Sequence, residues 1–432
     1  MQVFKFGGAS INSIERIQHI PTIIAQFPNT KLVIIVSAMG KTTNALEKIA
    51  AAYYKGNLQE ALELFDIVKK QHVNISKYLL VNRFNQCMQE LNDFFTEAEW
   101  LMHDKPVRDY NYYYDQIVCT GELCSSAIVS HYLNEIKIYN TWLDVRDIIR
   151  TDNIFREATI DWNETKNKIT SAISDKWQTT NIYITQGFIG ATDENESTTL
   201  GREGSDFTAA VFASILNADS VTIWKDVEGV MNADPKKVAE AQLISELSFD
   251  EVIEMAFYGA QVIHPKTIKP LQNKGIPLFV KSFIQPQLAG TIIHYQKIKN
   301  LPPIIVIKDQ QALIELTSTD FSFVAETSMT DLYNICNRLR IKPNLIQTGA
   351  ISVQICIDTD DEKIQKLATA SSKLFDMQVR KELQLLTVRH HTKNALTRLL
   401  QDKEVLLFQQ TSVTTQVVLS NAFKPNTLPT LH

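Results

Sequence analysis

The stretches QVFKFGGAS at residues 2–10 and LVIIVSAMGKTT at residues 32–43 read together as the opening of an α/β sheet. Residues 2–6 make a short strand that runs straight into Gly7 and Gly8. Ile14, Ile17, Ile20 and Ile24 then recur with a helical period, and Pro21 is expected to kink or restart that helix. Residues 32–36 are continuously apolar, the pattern of a strand covered on both faces in a parallel sheet. Both strands end in small-residue loops, which offer backbone N–H groups and a helix N-terminus to an anion.

Outward from this βαβ unit, residues 44–115 lack β-branched runs and repeat a helical spacing, so they read as a helical insertion. The YNYYYD cluster at 110–115 is read as aromatic packing of the insertion onto the sheet, with a recognition surface as the alternative. Alternation then resumes. Helices are expected at 116–134, 205–217 and 248–258, the last with a capping box of Ser248 and Glu251. Strands are expected at 136–140, 181–186, 220–224, 276–283 and 291–294, and a hairpin at 190–200 makes the sheet mixed. The polar, two-proline segment KNLPPI at 299–304 marks a boundary. Beyond it, strands at 304–308 and 312–317, a strand pair at 344–357 around Gly349, and strands at 378–389, 404–409 and 413–419 alternate with helices at 330–340, 361–375 and 393–402. Leu332, Ile335, Cys336 and Leu339 should face inward from the first of these helices. Two weakly similar βαββαβ rounds suggest paired ferredoxin-like domains at 302–432, in tandem. The tail NAFKPNTLPTLH is expected to be poorly ordered.

Composition narrows the function classes. The chain has 432 residues and only 14 glycines, where average usage would give about 30. Thirteen of them precede residue 291, so each glycine that closes a strand merits a reason. A net charge of −5 argues against a broad nucleic-acid-binding face. No secretory signal and no membrane span are expected. Five scattered cysteines without a CxxC read as reduced, buried thiols of a cytoplasmic protein.

Three constellations carry chemistry. Lys5 stands inside an apolar strand one residue from the Gly7-Gly8 turn; it is either an edge-strand lysine or a cation aimed along the loop at phosphate. The run TLGREGSD at 199–206 is either an ordinary capped helix or an anion grip. In the second reading Arg202 holds a carboxylate bidentately and Asp206 orients Lys5 and other cations. The polar loop WKDVEGVMNADPK at 224–236 could hold adenine and ribose, although alone it reads as any polar loop. With GGAS, SAMGKTT and GFIG these make several phosphate-facing loops, but there is no P-loop and no GxGxxG dinucleotide unit.

Taken together, KFGGAS, VSAMGKTTNAL, TGE, LDVRDIIRTD, TQGFIGAT, TTLGREGSDFTAA, WKDVEGVMNADP and FYGAQVIHPKTIKPL, in that order, resemble the aspartokinase family over residues 1–295. The C-terminal pair resembles that family's two ACT domains. The resemblance implies an amino acid kinase fold at 1–298, a largely parallel mixed sheet between helices, followed by the ACT pair. It implies phosphorylation of the L-aspartate side chain by ATP, with Mg²⁺ carried by the nucleotide and no protein metal cage. It also implies a homo-oligomer joined through the ACT domains, a role in lysine, threonine and methionine synthesis, and no fused homoserine dehydrogenase. By motif, Lys5 would stabilise the transferring phosphoryl group and Asp206 would organise the site's cations. Arg202, with Ser205, would clamp a carboxylate of aspartate. Glu122 would receive the ammonium, while Ser37, Thr43 and Phe188 would line the pocket. Gly7, Gly8, Ser10, Lys225, Asp226, Asp234, Lys236 and Gln261 match the nucleotide-binding positions.

The chain departs from the family pattern at Ala9 (usually threonine), Glu203 (usually glycine), Gln261 (usually lysine) and in the glycine missing before TSMTDLYNIC. Lys225 or Lys266 is the candidate replacement for the cation lost at Gln261. Glu203 and Gln261 motivate a second reading, a non-catalytic amino-acid sensor on the same fold. A third is a sister kinase of glutamate-like substrates.

Overall fold

Apolar five-residue runs dictate the centre of the molecule. In the computed structural model, β1 (Gln2–Phe6) lies between β2 (Leu32–Val36) and β7 (Ser220–Lys225), parallel to both. Lys5 is therefore on a central strand, and the edge-strand alternative falls. The structure describes residues 1–173, 177, 180–238, 240–320, 323–324, 326–420 and 423. It divides into two units: Met1–Val230, Ser245–Ile253 and Val262–Lys297 in one, and Met231–Ile244, Glu254–Gln261 and Ile298–His432 in the other.

In the first unit β1 is followed by a 3₁₀ turn (Gly8–Ile11) and α1 (Ile14–Ile24), which Ser13 caps by accepting from Arg16 N. The helix continues through Pro21 and does not restart. The insertion consists of α2 (Thr42–Tyr54), α3 (Leu58–Leu79), α4 (Phe84–Leu101) and α5 (Tyr110–Glu135). The helix expected from residue 116 thus starts at 110 and absorbs the end of the insertion. Tyr113 meets Tyr53 edge to face, and Tyr110 meets Tyr54 likewise, so the tyrosines pack helix on helix. Helix α5 also overruns at its C-terminus. Lys137 N donates to Asn134 O and Ile138 N to Leu133 O, which consumes the residues expected to start a strand. β3 (Thr141–Leu143) forms only after that cap.

A 3₁₀ turn (Val145–Asp147) and α6 (Trp162–Ile173) lead to β4 (Ile182–Gln186). The hairpin of β5 (Ile189–Ala191) and β6 (Ser197–Thr199) stands as its own two-stranded sheet. Next come α7 (Gly204–Leu216) and β7. The short β8 (Val230–Met231) and β9 (Leu243–Ile244) form another two-stranded sheet. β10 (Glu246–Ser248), α8 (Phe249–Phe257), α9 (Pro265–Lys274), β11 (Leu278–Ser282) and β12 (Thr291–His294) follow, with Glu251 N bonded to Ser248 Oγ at 3.2 Å. The main sheet has the order β10-β12-β11-β7-β1-β2-β4-β3, and only β11–β12 is antiparallel.

The second unit is built on β13 (Ile304–Ser318), α10 (Glu326–Arg338), β14 (Leu345–Thr348), β15 (Ser352–Asp358), α11 (Asp361–Ser371), β16 (Phe375–Arg389), α12 (Lys393–Leu400), β17 (Val405–Gln410) and β18 (Thr414–Leu419). The strands expected at 304–308 and 312–317 are one strand, with a register irregularity between Lys308 and Leu313 and Gln310 at φ 53°. The sheet order is β14-β15-β13-β16-β18-β17. Residues 304–308 pair with 385–389, which also pair with β18, whereas 311–317 pair with β15. The expected tandem is therefore nested in the chain: one half-sheet is inserted inside the other, and β13 and β16 run through both. Alternation along the strands sets two faces. Ala312, Ile314 and Leu316 join Leu332, Ile335 and Cys336 of α10 and Leu367 of α11, with Leu339 half-buried beside them, while Leu313, Cys356, Leu383 and Leu385 form a separate cluster. All five cysteines are free and buried. The tail lies outside the described residues except Phe423, which is buried in the cluster containing Leu386 and Val417.

Candidate active site

Where β1 and β2 end, two loops come together closely. Gly40 N donates to Gly8 O at 3.0 Å, and a Cβ on Gly8 would stand 2.6 Å from Ala38 O. Only glycine permits that approach. Gly187 does the same after β4, since a Cβ there would be 2.5 Å from Ser205 Cβ at the start of α7. The glycines at the strand ends thus close a cleft of about 330 Å³, lined by Lys5, Gly8, Ser37, Thr43, Glu122, Phe188, Glu203, Ser205, Asp206 and Lys225 among others.

The cleft's charges are arranged in pairs and orphans. Lys5 Nζ lies 2.7 Å from Asp206 Oδ1, with 12% and 4% of the two side chains exposed. Burial works to raise the Asp206 pKa, but Lys5 and Lys225 outweigh it and hold the carboxyl below its usual range. Lys225 Nζ is aimed by the Val262 carbonyl, to which it donates at 2.8 Å. Glu122, on α5, is 3% exposed. Its Oε1 accepts from Ala38 N at 3.3 Å, and its Oε2 has no hydrogen-bond partner among the described residues. Burial pushes its pKa up to about 8, against the Ala38 N–H and Lys5. A buried carboxyl with one oxygen unsatisfied is a receptor for a cation or a donor.

The remaining sequence-chosen residues divide. Ser37, Thr43, Phe188 and Ser205 stand in the wall. Gly7 abuts Lys5, for a Cβ there would meet Nζ at 3.2 Å. Ser10 does not reach the cleft: it is 1% exposed and its hydroxyl donates to Trp224 O, so it ties the first loop to β7. Arg202 and Asp226 are exposed and outside the wall. Asp234, Lys236 and Gln261 belong to the second unit and are exposed; Asp234 Oδ1 accepts from Lys236 N in a local turn. Lys266 does not replace a cleft cation. Its Nζ donates to Leu200 O and lies over the Phe207 ring.

Two residues have roles that the sequence did not reveal. Glu203 adopts φ 53° and turns its carboxylate to the N-terminus of α9, accepting from His264 N at 2.7 Å. Its charge is thereby committed to a helix end, where a negative group is favoured. Asp115, fully buried, accepts from Arg156 N, Thr199 N and Thr199 Oγ1, fastening α5 to the segment at Arg156 and to the first residue of TLGREGSD. Burial raises its pKa to about 6, against those donors. An acid beside four tyrosines gave no sequence signal for that role. Among the described residues no group of three or more His, Cys, Asp or Glu side chains is placed to hold a metal.

Comparison with known proteins gives this geometry a family. Residues 1–282 match the amino acid kinase family. The chain is 31% identical over 360 residues to lysine-sensitive aspartokinase 3 of Escherichia coli, covering 83% of this chain and 78% of that one. It is 31% identical over 376 residues to chloroplastic aspartokinase 1 of Arabidopsis thaliana, covering 82% of this chain and 63% of the plant protein. The crystal structure of E. coli aspartokinase III in complex with aspartate and ADP superposes with a TM-score of 0.82 at 27% identity, over 99% of this chain and 96% of that one.

Proposed function

The chain belongs to the amino acid kinase family and, within it, to the aspartokinases, the ATP-dependent kinases of aspartate; we propose that the cleft described above carries out that reaction as follows. A side-chain carboxylate oxygen of L-aspartate attacks the γ-phosphorus of ATP. The bond from that phosphorus to the bridging oxygen breaks, and 4-phospho-L-aspartate and ADP form. The nucleophile is already an anion, so no proton is removed and no general base is needed. The work is positioning and charge neutralisation.

Lys5 meets the transferring phosphoryl group, and Asp206 holds Lys5 in place. The observation that carries this reading is their 2.7 Å pair at the end of a central strand beside Gly7 and Gly8. Glu122 takes the substrate ammonium on its open Oε2, with Phe188, Ser37 and Thr43 around it. Arg202, next to Glu203 of the wall, closes on a carboxylate with Ser205. Lys225 faces the nucleotide phosphates with Gly7 and Gly8, and Asp226 serves the nucleoside end. Mg²⁺ on ATP supplies further charge neutralisation and keeps mostly phosphate and water ligands. Asp206, a buried carboxylate kept ionised in the wall, is the residue that would meet it.

The product feeds lysine, threonine and methionine synthesis. The five free, buried thiols suit a reducing compartment, the cytoplasm. The open edges of the six-stranded sheet, β14 and β17, support a homodimer formed through the second unit. The test of the reaction is ADP release by the purified chain with MgATP and aspartate, with glutamate in competition. Aspartate-dependent release is expected. A folded protein that binds aspartate without releasing ADP is the sensor instead, and preference for glutamate marks the sister kinase.

A further inference from the structure

Helix α5 presents two buried carboxyls to different ends of the candidate site. Asp115 and Glu122 are seven residues apart, so about two turns of helix put them on one face, roughly 10.5 Å apart along the axis. Glu122 opens onto the cleft. Asp115 stands outside the cleft wall and is directed at Thr199, where β6 ends and the turn carrying Arg202 begins. Asp115 Oδ1 accepts from Thr199 Oγ1 at 2.7 Å, while Oδ2 accepts from Thr199 N at 2.8 Å and from Arg156 N at 2.9 Å. Donors on both oxygens of a buried carboxylate make strong, directional ties.

The contacts fix the stem of that turn and leave its tip unengaged. Thr199 O accepts from Ala158 N at 3.0 Å, so the backbone and the hydroxyl of Thr199 are all tied. Leu200 N donates to Phe188 O at 2.8 Å, and Leu200 O accepts from Lys266 Nζ at 3.1 Å. Arg156, held through its N–H by Asp115, keeps the unusual φ of 72°. Its carbonyl oxygen lies 3.3 Å from where a Cβ on Gly201 would stand, and Gly201 is at φ +75°. On the far side, Glu203 is anchored to His264 N. Between these anchors Arg202 is exposed, and among the described residues its guanidinium makes no hydrogen bond or ion pair. A guanidinium on a turn held at both ends has a defined reach.

We propose that Asp115 is a positioning residue for aspartate: it fixes the stem of the Arg202 turn against the helix that carries Glu122, and so sets the span between the grip on the unreacting carboxylate and the grip on the ammonium. The proposal rests on the roles of Arg202 and Glu122 in the reading above. Asp115 touches no reacting atom and acts through Arg202. Both grips hold parts of the substrate that do not change during phosphoryl transfer, so the loss of Asp115 falls on aspartate affinity rather than on kcat. An amide at position 115 keeps the geometry. Its oxygen takes the two backbone N–H groups, and its NH₂ donates to Thr199 Oγ1, which accepts as well as donates. Alanine leaves those N–H groups without their acceptor.

The test is steady-state kinetics of the full chain with MgATP, beside calorimetric titration with L-aspartate alone, on variants whose circular dichroism matches the wild type. Asp115→Ala should raise the KM and Kd for aspartate about tenfold or more, with kcat and the KM for ATP within about twofold. Asp115→Asn should bring the aspartate KM back to within about threefold of the wild type. In an Arg202→Ala background, Asp115→Ala should lower kcat/KM for aspartate by less than about twofold further, because it acts through that side chain. If Asp115→Ala does not fold, Thr199→Val decides: it removes the Oγ1 donor alone and should raise the aspartate KM about threefold or more. An unchanged KM and Kd for aspartate in folded Asp115→Ala, or in Thr199→Val where that variant decides, overturns the proposal. So does an Asn variant as impaired as the Ala variant, or an undiminished loss in the Arg202→Ala background. If the wild type binds aspartate without turnover, the Kd values carry the same comparison. A wild type that neither turns over nor binds aspartate removes the cleft reading itself, and the proposal with it.

Discussion

Each unit buries a lysine beside a glycine, and the two lysines differ in what faces them. Lys5 passes Gly7 and meets Asp206 at 2.7 Å, whereas Lys308 passes under Gly259 and meets the neutral Asn344. The first arrangement holds a cation fixed and partly neutralised, ready to gain from a further negative charge developing in a transition state. The second leaves the ammonium on a neutral amide, with Lys342 and Asp358 acting on it in opposite senses. The difference separates a cation held by a charge from a cation held by a neutral amide.

The comparison breaks most sharply at Lys5. Lys5→Met and Asp206→Asn should each lower kcat by about 10²–10³-fold or more, read as ADP release from protein with unchanged circular dichroism. Lys5→Met also strands a buried carboxylate, which costs about 3–5 kcal/mol of stability in such pairs. A variant with full turnover would remove the cleft reading. Second in size is Gly187→Val, whose side chain has no space beside Ser205; overpacking of about 1–3 kcal/mol should lower the thermal midpoint.

Glu122 supplies a third, pH-dependent test. Its carboxyl is protonated below about pH 8 in the empty cleft, and only the carboxylate holds an ammonium as an ion pair. Raising the pH from 7 to 9 moves the competent fraction from about one tenth to about nine tenths, so aspartate binding should tighten about tenfold. Glu122→Gln should abolish that slope. Linkage runs the other way for the empty protein. The folded pKa lies above the unfolded value of 4.5, so the stability from this group is full below about pH 4.5 and is lost as pH rises through about 8.

The smallest effects sharpen the contrast. Lys308→Met in ligand-free protein should change stability by less than about 1 kcal/mol in either direction, because one hydrogen bond and one uncompensated charge are removed together. Chemical denaturation would measure this, and a loss as large as that of Lys5→Met would erase the distinction. Glu203→Gly trades relief from a left-handed backbone against the loss of the acceptor for His264 N, and should also stay within about 1 kcal/mol.

Much of the cleft was legible because its parts announce themselves locally. Glycines that end apolar runs and a lysine inside a strand are each unusual for their context, whereas the acid at a helix start is ordinary by itself and gains meaning from the glycines and arginine before it. Placement of Lys5, Glu122 and Asp206 follows from which strands are central, and continuous apolar runs reveal that. What sequence concealed depends on partners far along the chain. Ser10 looked like a phosphate ligand because nothing local shows that its hydroxyl meets Trp224 O. Glu203 looked like a misplaced charge because His264 lies 61 residues away. The break in alternation at Lys308-Asp309-Gln310-Gln311 reads as the end of one strand and the start of another, although it is an irregularity within a single strand.

That single strand has a consequence for how the second unit comes into being. Residues 304–308 are made early, but their neighbours at 385–389, and the strand at 414–419 beyond those, are made last. The inserted half-sheet of residues 311–383 can close first, around shorter loops. The first five residues of β13, apart from the bond of Ile305 N to Asn232 O, must then wait for their strand partner until some 75 further residues have emerged, estimated from the span between the paired segments. A ribosome stall in that interval would leave an apolar edge, Ile304-Ile305-Val306-Ile307, exposed to other nascent chains. Chaperone demand should therefore peak late in synthesis, after the catalytic unit has already been translated.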